Sequence, residues 1–74
     1  MLFGEAMRII MKEQGIGVNK LASRMGKLPR FVSDRLHTKN VTINTMVSML
    51  RMVDYKIVVI PRETRIPEGG YEIE

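Results

Sequence analysis

Apolar residues recur with a helical period over the first two thirds of the chain, then give way to one continuous run. Phe3, Met7 and Ile10, with Ala6 beside them, predict a first helix from about Phe3 to Gln14. Arg8, Lys12 and Glu13 fall on its water side. Gly15 offers a left-handed stop, and Ile16 is placed to plug the core. Leu21, Ala22 and Met25 predict a second helix from about Val18 to Met25, opened weakly by Gly17 or Val18 and ended by Gly26. Lys27 and Leu28 then form a sharp turn. Pro29 suits the first position of a third helix, where its missing N–H would have been unpaired anyway. Val32 and Leu36, at i and i+4, give that helix an apolar stripe before it ends near His37. Thr38, Lys39 and Asn40 read as a polar loop. Thr42 is a good N-cap for a fourth helix with Ile43, Met46, Val47, Met49, Leu50 and Val53 on its apolar face. Asp54 closes it, where glycine or asparagine would be easier.

The period changes after Asp54. Tyr55, Ile57, Val58, Val59 and Ile60 lie in a β-branched stretch that predicts a strand, stopped by Pro61. Residues 62–70 read as a loop, with Pro67 and Gly69-Gly70 as turn signals, and residues 71–74 alternate like a second short strand. The expected fold is mostly α: four helices over residues 1–54, then a C-terminal strand or hairpin over residues 55–74. The seven methionines fall mostly at apolar helix positions and are expected to fill the core.

Composition narrows the class. Seventy-four residues make one domain with a modest core. There is no cysteine and a single histidine, His37, so no disulfide, metal site or cofactor is expected. No apolar stretch approaches the roughly 20 residues that span a bilayer, and the first ten residues lack a basic leader ahead of an apolar run. A soluble cytoplasmic protein is expected. The sequence offers no nucleophile–base pair, no paired acids and no phosphate-cradling glycine loop, Gly15-Ile16-Gly17 being too short, so an enzyme is not expected.

Charge adds more. Residues 1–62 carry eleven Lys/Arg against four Asp/Glu, a net +7, whereas residues 63–74 carry one Arg against four Glu, a net −3. The positive residues cluster: Lys20, Arg24, Lys27, Arg30, Arg35 and Lys39 fall in or beside the second and third helices. Two short helices around a tight turn in a basic domain have the layout of a DNA-binding helix-turn-helix. A recognition helix needs an apolar back to dock on its domain and a polar front to enter the major groove. Val32 and Leu36 supply the back; Arg30, Ser33 and Asp34 supply the front. Arg30 can pair bidentately with guanine or hold a phosphate, and Ser33 can bond to either. Asp34 can accept from cytosine or orient Arg30. Phe31 can meet a thymine methyl or pack inward. Lys20, Lys27, Arg35 and Lys39 are placed to hold phosphates, with Leu28 and Pro29 at the turn between them.

These residues resemble the Cro/repressor-type helix-turn-helix family, also called XRE-like, which includes temperate-phage repressors and many antitoxins. Members typically show leucine-alanine, a glycine after three further residues, and isoleucine or valine followed by serine beginning six residues past that glycine. Leu21-Ala22, Gly26 and Val32-Ser33 match with the right spacing. The flanking helices and the following strand extend the resemblance over about residues 3–60. Three positions depart from the pattern. Leu28 stands where members carry a capping serine or threonine; Pro29 and Arg30 stand where polar base-readers, often glutamine, are usual. Arg35 replaces a common apolar residue, leaving Leu36 to pack.

A lone strand over residues 55–60 would leave its backbone groups unpaired and its side chains exposed. It can fold back on residues 71–73 as a hairpin, or pair with the same strand of a second molecule; the resemblance implies the latter. Tyr55, Ile57, Val58, Val59 and Ile60 are therefore the expected homodimer interface, and the two recognition helices would read half-sites one helical turn apart in a pseudo-palindrome. The expected function is a transcriptional regulator of double-stranded DNA, acting as a repressor by occluding promoter DNA. The alternatives are a protein-binding helix-turn-helix, or an antitoxin-like protein that holds a partner through residues 62–74.

Overall fold

The computed structural model describes all 74 residues and places four helices in the order α1 (Phe3–Gln14), α2 (Val18–Met25), α3 (Pro29–His37) and α4 (Ile43–Arg51). Three of the four helix ends share one device. After α1, Gly15 is left-handed (φ 67°), its N–H bonds the Lys12 carbonyl, and the Ile16 N–H reaches back to Met11. After α2, Gly26 repeats this with the Ser23 and Ala22 carbonyls. The third case uses Asp54 (φ 61°), with Asp54 N–H to Arg51 and Tyr55 N–H to Leu50. This is the Schellman pattern, which satisfies the orphan carbonyls of a last turn and turns the chain sharply. The α4 helix ends at Arg51, shorter than its apolar pattern predicts, because residues 52–54 wind into this turn.

Helix starts are less uniform. Thr42 caps α4 by accepting from the Thr45 N–H at 3.2 Å. At α1, Glu5 reaches back to the Leu2 N–H at 2.7 Å, half of a capping box whose other half leucine cannot supply. Gly17 and Leu28, before α2 and α3, make no side-chain cap.

The helices bury one core. Phe3, Met7, Ile10 and Met11 of α1 meet Leu21 and Ala22 of α2, Val32 and Leu36 of α3, and Met49 and Leu50 of α4. Ile16 does close the core below α1, together with Val41 and Val53 from the connections. The α3 helix packs on α1 and α2, and α4 packs on α2. Six of the seven methionines lie in this core or against it, where an unbranched side chain fills irregular gaps. No buried side-chain polar atom lacks a partner. Gln14 Nε2 donates to the Val53 carbonyl at 2.9 Å, tying α1 to the end of α4.

Two expectations are corrected. Ile43 is not part of the buried face of α4: it is 64 % exposed, because the rest of the chain covers this helix only from Thr45 and Met46 onward. The C-terminal strand and hairpin are absent, since residues 55–60 have no ladder and the chain contains no strand. A β-branched run states a preference, but a strand exists only with a partner edge, and the single chain gives residues 55–60 none. Residues 71–74 pair elsewhere. The Met1 amino group donates to the Glu72 carbonyl at 3.1 Å and the Glu74 N–H donates to the Met1 carbonyl at 3.0 Å, the two-bond pattern of one parallel bridge. Tyr71 holds this return in place. Its ring lies 6.4 Å from that of Tyr55, and its hydroxyl donates to Glu13 Oε1 at 3.1 Å.

Candidate nucleic-acid interface

The α2–α3 unit is built outward from its turn. Gly26 reverses the chain, and the Lys27 N–H closes on the Ala22 carbonyl at 2.9 Å, fixing the turn against α2. Leu28 takes the N-cap position of α3 with extended backbone, Pro29 follows at the first helical position, and the Phe31 N–H bonds the Leu28 carbonyl at 3.0 Å. The back of α3 is fully committed, with Val32 and Leu36 buried. Its other side is open: Arg30 and Asp34 are exposed and Ser33 is half-buried.

Lys20, Lys27 and Lys39 are also exposed, on the first turn of α2, the α2–α3 turn and the α3–α4 loop respectively. Leu28 and Pro29 stand exposed between Lys27 and Arg30, and Leu28 shows 75 % of its surface. Cationic groups therefore outnumber the one carboxylate, Asp34, across α3 and its flanks. No three side chains of the His, Cys, Asp or Glu type converge to hold a metal ion.

Phe31, Arg24 and His37 make contacts that hold this unit together. Phe31 is half-buried against the core, with Arg35 Cζ 4.2 Å and Lys27 Nζ 5.3 Å from its ring centroid. Phe31 and Arg35 are i and i+4 within α3, so the spacing carried that pair, whereas Lys27 comes over the ring from the turn ahead of the helix. Of its two anticipated roles, Phe31 has the packing one; its ring is a platform that two cations share. Arg24, one of the clustered cations, donates from Nη1 to the Met52 carbonyl at 2.9 Å and so braces the end of α4. His37 Nδ1 bonds the Ser33 carbonyl at 2.8 Å, while the Thr38 hydroxyl donates to the Asp34 carbonyl at 2.8 Å; together they finish the last turn of α3.

Sequence reasoning also passed over a shallow groove beside α3. Met25, Lys27 and Phe31 line one side of it, and Asn44, Thr45 and Ser48 of α4 line the other. Asn44 and Ser48 share one helical face by their i, i+4 spacing, and that spacing was the available signal.

The residues expected at a dimer interface divide. Tyr55 is half-buried and packs on its own chain's core, beside Tyr71. Ile57, Val58, Val59 and Ile60 are exposed, Val59 almost completely at 97 %. Desolvation, and then the hydrogen bond to and the charge of the neighbouring Glu13 carboxylate, raise the Tyr71 phenol above its usual value of 10.0. No helix is long and apolar enough to cross a membrane. Comparison with family models, with curated proteins and with solved structures gives no match to this chain.

Proposed function

We propose that the chain is a sequence-specific DNA-binding regulator of the helix-turn-helix type. In this reading α3 lies in the major groove of double-stranded DNA. Arg30 reads or anchors a guanine, and Ser33 and Asp34 contribute from the same face. Lys20, Lys27, Arg35 and Lys39 engage phosphates, with Phe31 holding two of these cations in place. The observation that carries the reading is the division of α3: Val32 and Leu36 are buried, while Arg30 and Asp34 are exposed beside a cationic turn. A helix locked to its domain on one side and polar on the other can enter a groove without rearranging.

The protein acts as a homodimer in this proposal. Ile57, Val58, Val59 and Ile60 are exposed and carry unladdered backbone, and the same segment of a second copy would cover both. Two α3 helices then face a pseudo-palindromic operator, and repression follows by occlusion of promoter DNA in the cytoplasm. A second reading rests on the groove that Ile60, Ile66 and Ile73 line beside Glu72 and Glu74. An antitoxin-like protein would use this groove to hold a protein partner while α3 binds DNA.

The test is a fluorescence-anisotropy titration of mixed-sequence duplex DNA at two salt concentrations. Affinity that falls steeply with added salt supports the proposal, because each neutralised phosphate releases counterions. Absence of binding at low salt overturns it and leaves a protein partner as the ligand to seek.

A further inference from the structure

We infer that Leu28 is a specificity-determining residue that recognises the 5-methyl group of thymine in the major groove. This rests on the DNA-binding reading above and deepens it.

Leu28 occupies the N-cap position of α3, where serine, threonine, aspartate or asparagine would accept a first-turn N–H. No side-chain cap is made there. The sequence thus gives up a cap and leaves a large apolar side chain 75 % exposed at the tip of the helix-turn-helix. Most other exposed large apolar residues lie in the C-terminal segment or ahead of α1. Leu28 instead sits among charges, with Lys27 before it and Pro29 and Arg30 after it, all exposed.

A small apolar pair, Leu28 and Pro29, flanked by two cations poorly suits an apolar protein surface, which would have to desolvate both charges. It suits a polyanion that carries an isolated apolar feature. Duplex DNA presents one such feature on the major-groove edge of its bases, the thymine C5-methyl. Of the other apolar side chains at this end of α3, Phe31 packs on the core and is covered by Lys27 and Arg35, and the short Pro29 ring is tied to the backbone at the first helical position, so Leu28 has the longer reach. Leu28 is therefore the side chain free to make the contact.

The experiment begins with an operator selected by the full chain from random duplexes. Each thymine is then replaced by deoxyuridine, which removes the methyl and leaves base pairing intact. The expected result is a thymine in each half-site whose methyl is worth about fourfold in affinity to the wild-type chain. Leu28→Ala binds more weakly and is indifferent to that methyl. Leu28→Ser, which supplies a cap residue and whose melting is followed alongside, is equally indifferent. If deoxyuridine is tolerated everywhere by the wild type, or if Leu28→Ala and Leu28→Ser keep the methyl preference, the inference is overturned while DNA binding stands. If no duplex is bound at low salt, the functional proposal falls and takes this inference with it.

Discussion

Gly4 in the first turn of α1 lies directly on the backbone of Leu36 in α3. A Cβ built at Gly4 would overlap the Leu36 carbonyl oxygen and sit 2.9 Å from its carbonyl carbon. The obstacle is main chain, which no rotamer change can move aside. A glycine in a helix costs roughly 1 kcal/mol relative to alanine, and here that cost allows α1 to approach α3. The α3 helix owes part of its placement to this contact.

Gly4→Ala is therefore expected to destabilise the fold by about 2 kcal/mol in spite of alanine's better helix propensity. For a domain of this size that lowers the melting temperature by roughly 8–16 °C. Thermal unfolding followed by circular dichroism reads the change directly. An unchanged or raised midpoint would show that the helices separate without cost.

Asp54 bears two separable penalties at the end of α4. It is a non-glycine residue in the left-handed region, at φ 61°, and it places a carboxylate at the negative end of the helix dipole. Asp54→Asn removes the charge and keeps the shape, so a gain of about 0.5 kcal/mol that shrinks with added salt is expected. Asp54→Gly removes the backbone strain too, partly offset by a more flexible unfolded chain. Asp54→Val, whose β-branch tolerates this conformation poorly, should destabilise. Melting at two salt concentrations for all three variants separates charge from strain.

Leu28→Ser should stabilise the fold by about 1 kcal/mol, through a hydrogen bond to the first turn of α3 that leucine cannot make. Loss of stability on this change would mean that Leu28 packs usefully despite its exposure.

The helices were legible because their ends are marked in the chain itself. Gly15, Gly26, Pro29 and Thr42 each act within a few residues of where they stand, and they mark the ends of α1 and α2 and the starts of α3 and α4. Gly4 was not legible, since its reason is a carbonyl 32 residues away. Residues 55–60 show the same limit from the other side: β-branching is local, but strand pairing is not. In the candidate interface, the exposure of Arg30, Lys27 and Lys39 follows from helical period and turn position. The brace from Arg24 to the Met52 carbonyl needs the packing of α2 on α4, which no spacing encodes.

Tyr71 gives a pH-dependent signature. Its phenol is raised by desolvation and then by the Glu13 carboxylate that accepts its proton's hydrogen bond. Since the folded value exceeds the unfolded 10.0, the contribution is fully present below pH 10 and is lost as pH rises through the folded value. Ultraviolet titration should show a tyrosine step above 10.0, and Tyr71→Phe should abolish that late step. A wild-type titration with no step above 10.0 would remove the Glu13 contact from the account.

The proposed dimer makes the sharpest demand on the exposed segment. Val59 is 97 % exposed, so Val59→Lys removes no contact within a single chain. Its melting temperature as a monomer should stay within the small range typical of surface changes. Light scattering at micromolar concentration should nevertheless show the mass halved relative to the wild type, because a charge in a paired apolar strand must be desolvated. Binding to one half-site should survive in the variant, with the gain from a second half-site lost, since that gain comes only from linking two recognition helices. Arg30→Ala should do the reverse, leaving the mass unchanged and weakening both half-site and full-site binding. A wild-type chain that is monomeric at micromolar concentration would contradict the dimer and leave Ile57, Val58, Val59 and Ile60 to another partner.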